Sequence, residues 1–385
     1  MRKVYAVGIG ITKYGKHSSP ARELMTMAAE AAIADAGIAP EQIEGGYFGN
    51  AFGVAEKQGH LGPLIMSALG IPEVPSTVME TACASSGTAV HHAYRDVAGG
   101  FADVILAGGM ERVSMLDTLT ATTYFSYGSD YTFEGGNGCS FPGLYATMAR
   151  AYFDKYGATE EDLAHVAIKN HANAVHNPVA HLQKAITMED VMGSMKVADP
   201  LKLYDACPFS DGAAAVLLVS EEIAKKLSDT RITVDASARS GSVATLHDRA
   251  SLTTIPGTLR AGQLAMRQAK VGVDDIDFFE VHDCFTIAEV IASEDLGLFQ
   301  RGEGAKQAVD GQTAIGGKRP INPSGGLKAK GHPVGATGAG QIVEVVEQLR
   351  GDSGKRQVDG AVRGMTHNVG ATGGTVACHI LSRRA

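Results

Sequence analysis

The sequence predicts an α/β protein of two similar halves, residues 1–228 and 229–385, with an insertion in the first half. Three observations support this prediction. Short apolar runs alternate with segments of helical periodicity along the chain. Two stretches of sequence far apart in the chain resemble each other, which indicates a duplication. The first half also holds a long extra segment without a clear strand pattern.

The individual elements follow from local patterns. The first strand precedes a helix with alanines and methionines at helical spacing, and Gly37 ends that helix. The predicted helix covers residues 23–36, and the predicted strands cover residues 4–11, 104–109, 213–219 and 232–238. Because these strands are apolar along their length, they indicate a largely buried sheet.

Two internal similarities indicate that the halves are duplicated. Residues 36–44 match residues 269–277, and a short aromatic strand follows each stretch. Farther along, Ser86-Gly87 and Thr337-Gly338 each head a predicted helix, and a strand follows each helix. Chance recurrence of helix, glycine and strand is the alternative, but the shared order of four elements favours duplication.

The insertion covers about residues 116–204 and is rich in glycine, tyrosine and histidine. Loops longer than about 15 residues are uncommon in compact domains and are often functional. We therefore expect this segment to pack over the face of the first half.

Composition excludes several classes of protein. The chain has 385 residues, 44% hydrophobic residues and a net charge of −8, which argues against nucleic acid or an anionic membrane as partner. The start of the chain predicts a strand rather than a signal peptide, and no apolar run predicts a membrane span. Five scattered cysteines without a CxxC pair argue against a disulfide framework or a zinc ribbon. We expect a reducing, cytoplasmic location.

Cys83 is the first candidate for catalysis. It lies in the segment TACASSG, residues 81–87, between a β-branched run and a predicted helix. At a helix N-terminus, the dipole and the free N–H groups stabilise a thiolate and lower the pKa of the thiol. A buried structural cysteine is the alternative. The small neighbouring residues leave room for a substrate and favour the catalytic interpretation.

His332 is the second candidate. It lies between Gly331 and Pro333, just before a predicted helix, and the duplication gives it nearly the position of Cys83. A pseudo-twofold axis would bring the two residues together, and a thiol beside an imidazole is the minimal activated nucleophile. A phosphate-binding glycine loop is the alternative, but no nucleotide-binding motif such as GxxxxGK[ST] surrounds it.

Two further segments carry polar residues at the ends of predicted strands. His282, Asp283 and Cys284 follow a strand of the second half. A metal site is the alternative there, but consecutive positions of an extended chain alternate between faces and chelate poorly. Residues 366–374 form a glycine loop, whose backbone N–H groups suit an oxyanion hole. For His367 in this loop, a hydrogen-bonded structural role is an equal alternative.

Together these motifs resemble the thiolase family. The motifs, in family order along essentially the whole chain, are TACASSG at 81–87, HDCF at 282–285, GGLKAKGHPVGATG at 325–338 and HNVGATGG at 367–374. The HDCF motif is similar to that of the sterol-carrier-protein-2-type and archaeal thiolases. The resemblance implies the thiolase fold. In that fold, two duplicated βαβαβαββ halves form a five-layer αβαβα core, and a loop domain is inserted in the first half.

The resemblance also implies roles for single residues. The family's reaction is a reversible Claisen condensation of CoA thioesters, and here it would run through an acyl group on Cys83. His332 accepts the proton of Cys83, and Cys284 removes the α-proton of the second thioester. His332 and His282 stabilise the enolate oxygen. The backbone N–H groups of Cys83 and Gly370 stabilise the tetrahedral oxyanion.

Two departures from the degradative and biosynthetic thiolases affect this allocation. Those enzymes carry Asn-Glu-Ala-Phe in place of residues 282–285, and Cys-x-Gly in place of residues 368–370. In the branch that this chain resembles, the acid/base cysteine comes from the HDCF motif, which implies that role for Cys284, and we expect Cys378 to lie in the core. No family role transfers to Cys139 or Cys207.

The expected reaction converts two acetyl-CoA to acetoacetyl-CoA and CoA, or cleaves a 3-ketoacyl-CoA in reverse. Two alternatives are a thiolase-like acyltransferase or retro-aldol lyase acting with a small OB-fold partner, and a non-catalytic scaffold or lipid-binding subunit. The combination of Cys83, Cys284 and His332 argues against both.

Cofactors and partners are implied by the resemblance alone. It implies no cofactor beyond the acyl-CoA and acetyl-CoA substrates, and no metal. It also implies a homodimer or a dimer of dimers, and it allows association with a zinc-ribbon/OB-fold protein and with hydroxymethylglutaryl-CoA synthase.

Overall fold

The computed structural model describes residues 2–227 and 231–384. The predicted boundary between the halves, at residues 228 and 229, lies outside the described residues. The strands are β1 (Val4–Ile11), β2 (Gly45–Gly49), β3 (Ser76–Met79), β4 (Val104–Glu111), β5 (Lys196–Ala198), β6 (Leu201–Lys202), β7 (Gly212–Ser220), β8 (Arg231–Gly241), β9 (Phe278–Glu280), β10 (Arg363–Gly370) and β11 (Thr375–Arg384). The helices are α1 (Ala21–Ala36), α2 (Leu61–Ala68), α3 (Ser85–Gly99), α4 (Thr118–Ser126), α5 (Phe141–Tyr156), α6 (Glu160–Ala174), α7 (Met188–Gly193), α8 (Glu221–Ala224), α9 (Pro256–Ala269), α10 (Thr286–Asp295), α11 (Gly304–Val309), α12 (Gly326–Ala329) and α13 (Thr337–Arg350). Within the described ranges, no helix is both long enough and apolar enough to cross a membrane.

The elements predicted from local patterns are confirmed. β1, β4, β7 and β8 cover the four predicted strands, and α1 covers the predicted helix. Gly37 follows α1 with a φ of 66°, a left-handed conformation that glycine adopts without steric cost.

Nine strands form one sheet in the order β3-β2-β4-β7-β1-β8-β11-β10-β9. The halves meet where β1 pairs with β8 in antiparallel orientation. Outward from this junction the order repeats, because β8, β11, β10 and β9 take the places of β1, β7, β4 and β2. The orientations repeat as well, since β2 and β9 each run parallel to their inner neighbour. This repeat supports our proposal that the halves are duplicated units.

The helices and strands stack in five layers. α1 packs on the strands of the first half and α9 packs on those of the second, so these two helices form outer layers. α3 and α13 contact each other and strands of both halves, so they lie between the two parts of the sheet. Side chains of both central helices, among them Val90, Val97, Ile342 and Val346, belong to one buried cluster. The predicted αβαβα fold class is therefore confirmed.

The N-terminal turns of α3 and α13 approach each other so closely that only glycine fits between them. A Cβ atom placed on Gly338 would lie 2.4 Å from the backbone nitrogen of Gly87 and 2.4 Å from Oδ1 of Asn368. Cys83 precedes α3 and His332 precedes α13. The contact therefore brings the two candidate residues together, as the predicted pseudo-twofold axis requires.

The insertion is folded, but most of it does not pack where we expected. It contains α4 to α7 and the β5–β6 hairpin, between β4 and β7. The prediction that it packs over the first half is right for α4, where Phe125 lies 4.7 Å from Phe52 between ring centroids, and wrong for α5 and α6. Other buried side chains of the insertion, such as Leu144 and Tyr152, share one core with Ile287 of the second half. α5 packs against α10, and α6 packs against α10 and α11.

Replacing Gly338 by alanine should destabilise the protein by about 2 kcal/mol, because the new methyl group clashes with backbone atoms that cannot move independently. The matched control is Gly193→Ala, since Gly193 is an exposed helical glycine with no atom within 4 Å of its added Cβ. The control should be neutral or slightly stabilising. Denaturant unfolding measures both variants, and equal stabilities would contradict the close contact.

Candidate active site

A cavity of about 540 Å³ lies between the insertion and the segments that carry the predicted site residues. Cys83, Cys284 and His332 all line it. The insertion contributes mainly apolar side chains to the same lining, among them Phe125, Phe141, Tyr145, Met195 and Leu203. The cavity therefore places two thiols and an imidazole in surroundings that suit an acyl group.

Cys83 lies in a tight turn between β3 and α3, as the sequence predicts. The N–H of Ala84 donates to the carbonyl of Thr81 over 3.1 Å, and the hydroxyl of Ser85 donates to the carbonyl of Ala82 over 2.6 Å. Ala82 has a φ of 50°, which is unfavourable for a residue with a side chain. The turn thus holds the residue before the thiol in a strained conformation, a feature that often occurs at functional sites.

The predicted direction of the Cys83 pKa is wrong. Burial raises the pKa of the thiol from 9.0 to about 12, and the carboxylates of Glu111 and Glu80 add to the effect. Hydrogen bonds from the backbone N–H groups of Ala371 and Cys83 lower it, but desolvation outweighs them. The resting nucleophile is therefore a neutral thiol.

His332 is oriented by hydrogen bonds that determine which ring nitrogen carries the proton. Its Nδ1 lies 2.6 Å from Oγ1 of Thr337, and that hydroxyl donates its own proton to the carbonyl of Pro333 over 3.0 Å. The hydroxyl must therefore accept from Nδ1–H, which leaves Nε2 unprotonated. Burial lowers the pKa of His332 from 6.5 to about 3. The imidazole is neutral and has a free lone pair that can accept a proton.

His282 meets His332 edge to face, with ring centroids 5.3 Å apart and an interplanar angle of 84°. Side-chain atoms of Cys83, His282 and His332 all lie within 4.8 Å of one another. We attribute this closeness to proton transfer rather than to a metal, because a neutral thiol beside a neutral imidazole is the arrangement that general-base activation requires.

His282 has the opposite tautomer to His332. Nδ2 of Asn368 donates to the carbonyl of Cys83 over 2.8 Å and lies 3.4 Å from Nδ1 of His282. Because an amide nitrogen only donates, Nδ1 accepts and Nε2 carries the proton. This Nε2 is buried and has no hydrogen-bond partner among the described residues. Burial lowers the pKa of His282 well below its ordinary value, so the ring is a neutral donor.

Cys284 follows β9 and precedes α10. Burial raises the pKa of its thiol well above the ordinary value, the nearby Cys207 acts in the same direction, and a hydrogen bond with Tyr145 lowers it. Cys207 also lines the cavity and donates its backbone N–H to the carbonyl of Cys284 over 3.0 Å. The expectation that Cys378 lies in the core is confirmed, since its side chain is fully buried.

Gly370 ends β10 opposite Thr375, and a Cβ atom added to it would lie 2.4 Å from the carbonyl oxygen of Thr81. The next residue, Ala371, lines the cavity and hydrogen-bonds the sulfur of Cys83 through its N–H. Ala371 has a φ of 54°. The loop therefore directs its backbone toward the nucleophile, and the oxyanion role of Gly370 remains a prediction.

The residues beside the site hold its segments in place. Glu111, buried beneath the turn, accepts hydrogen bonds from the N–H groups of Ala51 and Gly335 at 3.0 and 3.1 Å, which ties the His332 loop to the first half. Asp283 is not among the residues that line the cavity, and it accepts from the N–H of Leu327 at 2.7 Å. His367 meets the hydroxyl of Thr258 at 2.9 Å, which supports its structural interpretation.

Sequence reasoning missed Thr337, Tyr145 and Cys207 at the site. Thr337 stands in the GHPVGATG motif five residues after His332, so this hydroxyl in the same motif was the available signal. Tyr145 and Cys207 belong to the insertion or to its end, where no local pattern connects them with Cys284.

Comparisons with known proteins give the same family for both halves of the chain. Family models for "Thiolase, N-terminal domain" and "Thiolase C-terminal domain-like" match residues 4–222 and 238–383. An acetyl-CoA acetyltransferase of Methanothermobacter thermautotrophicus is 46% identical over 385 residues, which cover 100% of both chains. The solved Ltp2-ChsH2(DUF35) aldolase is similar with a TM-score of 0.86 and 27% identity, over 99% of this chain and 98% of the other. Human mitochondrial 3-ketoacyl-CoA thiolase in complex with CoA shares the fold, with a TM-score of 0.78 and 19% identity over 100% and 98% of the two chains.

Replacing Thr337 by valine should slow acylation of Cys83 by acetyl-CoA about 100-fold, because Nδ1 of His332 loses its acceptor and the tautomer with a free Nε2 is no longer favoured. Thr258→Val is the matched control, since it removes a hydroxyl from His367 instead. Rapid quench followed by mass spectrometry measures the acyl adduct. Equal slowing in both variants would contradict the orienting role of Thr337.

Proposed function

The chain belongs to the thiolase family, and from this premise we propose that it condenses two acetyl-CoA to acetoacetyl-CoA and CoA through an acyl group on Cys83. It is a thiolase, an acyltransferase that acts on CoA thioesters. The observation that carries the residue assignment is the approach of Cys83, His282 and His332 to within 4.8 Å, in a cavity that Cys284 also lines.

The first step acylates Cys83. Nε2 of His332 accepts the thiol proton as the sulfur attacks the thioester carbonyl, and the backbone N–H groups of Cys83 and Gly370 stabilise the oxyanion. The N–H of Ala371 already meets the sulfur and adds to this group of donors. When the carbonyl re-forms, the bond to CoA breaks, and the departing thiolate takes the proton of Cys284. His332 is then protonated and Cys284 is a thiolate.

The second step makes the carbon–carbon bond. The Cys284 thiolate removes an α-proton from the second acetyl-CoA, while His282 and the protonated His332 donate to the enolate oxygen. The carbanion attacks the acyl carbon on Cys83. The Cys83 sulfur leaves as a thiolate and recovers its proton from His332. All side chains return to their starting states, and acetoacetyl-CoA is released.

Burial of the two cysteines and two histidines supports the protonation states that these steps assign to them. The resting thiols of Cys83 and Cys284 and the imidazoles of His282 and His332 are uncharged, so none of these four groups is an ion before the substrate arrives. A thiolate formed in surroundings that raise the thiol pKa is a strong base, as removal of a weakly acidic α-proton demands. The unpartnered Nε2–H of His282 is a donor that the enolate oxygen would satisfy.

The substrates we propose are acetyl-CoA and acyl-CoA, and we propose that the enzyme needs no further cofactor. The location we propose for the protein is the cytoplasm. We also propose a homodimer or a dimer of dimers. The solved Ltp2-ChsH2(DUF35) aldolase carries two protein names, which supports a partner protein for this chain, and we propose a small zinc-ribbon/OB-fold protein in that role. Hydroxymethylglutaryl-CoA synthase is a further proposed partner. A retro-aldol lyase is less well supported, because the aldolase is 27% identical to this chain whereas the acetyl-CoA acetyltransferase is 46% identical over its full length. Formation of acetoacetyl-CoA would exclude the lyase reaction as the main activity.

Single substitutions of the two cysteines should separate the two steps. Cys83→Ala should form no acyl adduct with acetyl-CoA, because the nucleophile is gone. Cys284→Ala should still form the adduct, since a CoA thiolate leaves without a proton donor, but its condensation rate should fall by about 100-fold or more. Peptide mapping by mass spectrometry locates the adduct, and an assay of acetoacetyl-CoA measures condensation.

Cys139→Ala is the control, because Cys139 lies in the insertion but outside the cavity lining. It should retain both activities. Full condensation activity in Cys83→Ala or in Cys284→Ala would show that the corresponding role is wrong.

A further inference from the structure

Tyr145 is a buried residue of α5 whose hydroxyl lies at the cavity, although the two steps above do not use it. The hydroxyl donates to the carbonyl of Ala371 over 3.0 Å. The ring stacks on Phe285, with centroids 4.8 Å apart and an interplanar angle of 27°. Tyr145 and Cys284 both line the cavity and belong to one buried cluster, so the stacking holds the ring of Tyr145 in the same part of the site as the acid/base thiol.

The Tyr145 hydroxyl also hydrogen-bonds the thiol of Cys284. Its single proton is already donated to Ala371, so in the resting state the oxygen accepts from the S–H group. Once Cys284 has lost its proton, the sulfur becomes the stronger acceptor, because hydrogen bonds to ionised groups are about twice as strong as neutral ones. A rotation about the C–O bond of the phenol then redirects its hydrogen bond from the carbonyl of Ala371 to the sulfur of Cys284, and the proton stays on the phenol oxygen.

Other titratable or charged groups also face Cys284, namely Cys83, Cys207, Asp283 and Lys328. Lys328 donates one of its three ammonium protons to the carbonyl of Ala206 over 2.6 Å, and it acts on Cys284 through its charge. Asp283 and the two thiols act against a thiolate at Cys284. The phenol is therefore in the best position to offset them by donating directly to the sulfur.

We propose that Tyr145 is a positioning residue for the acid/base step: it holds the proton of Cys284 at rest and donates to the Cys284 thiolate once that proton has left. The inference rests on the acid/base role proposed for Cys284. It makes the insertion part of the chemistry and not only a cover for the cavity.

The test compares Tyr145→Phe with Tyr152→Phe. Tyr152 belongs to the same helix and has a buried ring, but its hydroxyl bonds Glu294. Loss of the donor should raise the pKa of Cys284 by about one unit. Iodoacetamide, which reacts with thiolates, should therefore alkylate Cys284 about tenfold more slowly in Tyr145→Phe at each pH below that pKa. Peptide mapping reports Cys284 separately from Cys83 and Cys207.

The Tyr152→Phe control should show the wild-type rate of Cys284 alkylation. In Tyr145→Phe, exchange of the α-protons of acetyl-CoA with deuterated water should also slow about tenfold, while acylation of Cys83 should keep its rate. Unchanged alkylation of Cys284 in Tyr145→Phe would overturn the inference. Normal condensation by Cys284→Ala would instead overturn the acid/base assignment, so the two failures are distinguishable.

A fluorinated tyrosine at position 145 covers the case in which Tyr145→Phe does not fold. It keeps the ring and the hydroxyl but makes the phenol a stronger donor. It should speed alkylation of Cys284, and an unchanged rate would again overturn the inference.

Discussion

The contact between the N-termini of α3 and α13 is the constraint on which the site depends. Gly338 lets the two helices meet, because a side chain at that position would clash with the backbone of Gly87. The turn before α3 carries Cys83 and the loop before α13 carries His332, so the contact sets their distance. The repeated strand order places both helices between the two parts of the sheet, where they contact strands of both halves.

Burial at this contact determines the charge states of Cys83 and His332. The Cys83 thiol and the His332 imidazole both rest uncharged, because desolvation disfavours the ionised form of each. The hydrogen bonds then give the two histidines different roles. Thr337 leaves His332 an acceptor at Nε2, while Asn368 leaves His282 a donor at Nε2. A general base and an oxyanion donor therefore lie side by side without either carrying a charge.

Much of this arrangement was predictable from the sequence, because Cys83 and His332 lie at corresponding points of two similar halves. The direction of the Cys83 pKa shift was not predictable, since the helix-end effect is local whereas desolvation depends on side chains from distant segments, such as Phe52 and Val334, that pack with Cys83. The same holds for the packing of the insertion on the second half, which depends on apolar faces of α5 and α6 that fit α10 and α11. A hydrogen-bond partner such as Thr337 can be recognised only when the conformation of the folded loop is known.

The state of His332 is the central claim, and nitrogen-15 NMR of histidine-labelled protein tests it most directly. Comparison with His332→Asn assigns the resonances. The structure predicts a neutral ring from pH 5 to pH 8, protonated at Nδ1 and unprotonated at Nε2, because the pKa of His332 is about 3 and Thr337 accepts from Nδ1. A ring that titrates near pH 6.5, or one that carries its proton on Nε2, would contradict the proposed activation of Cys83.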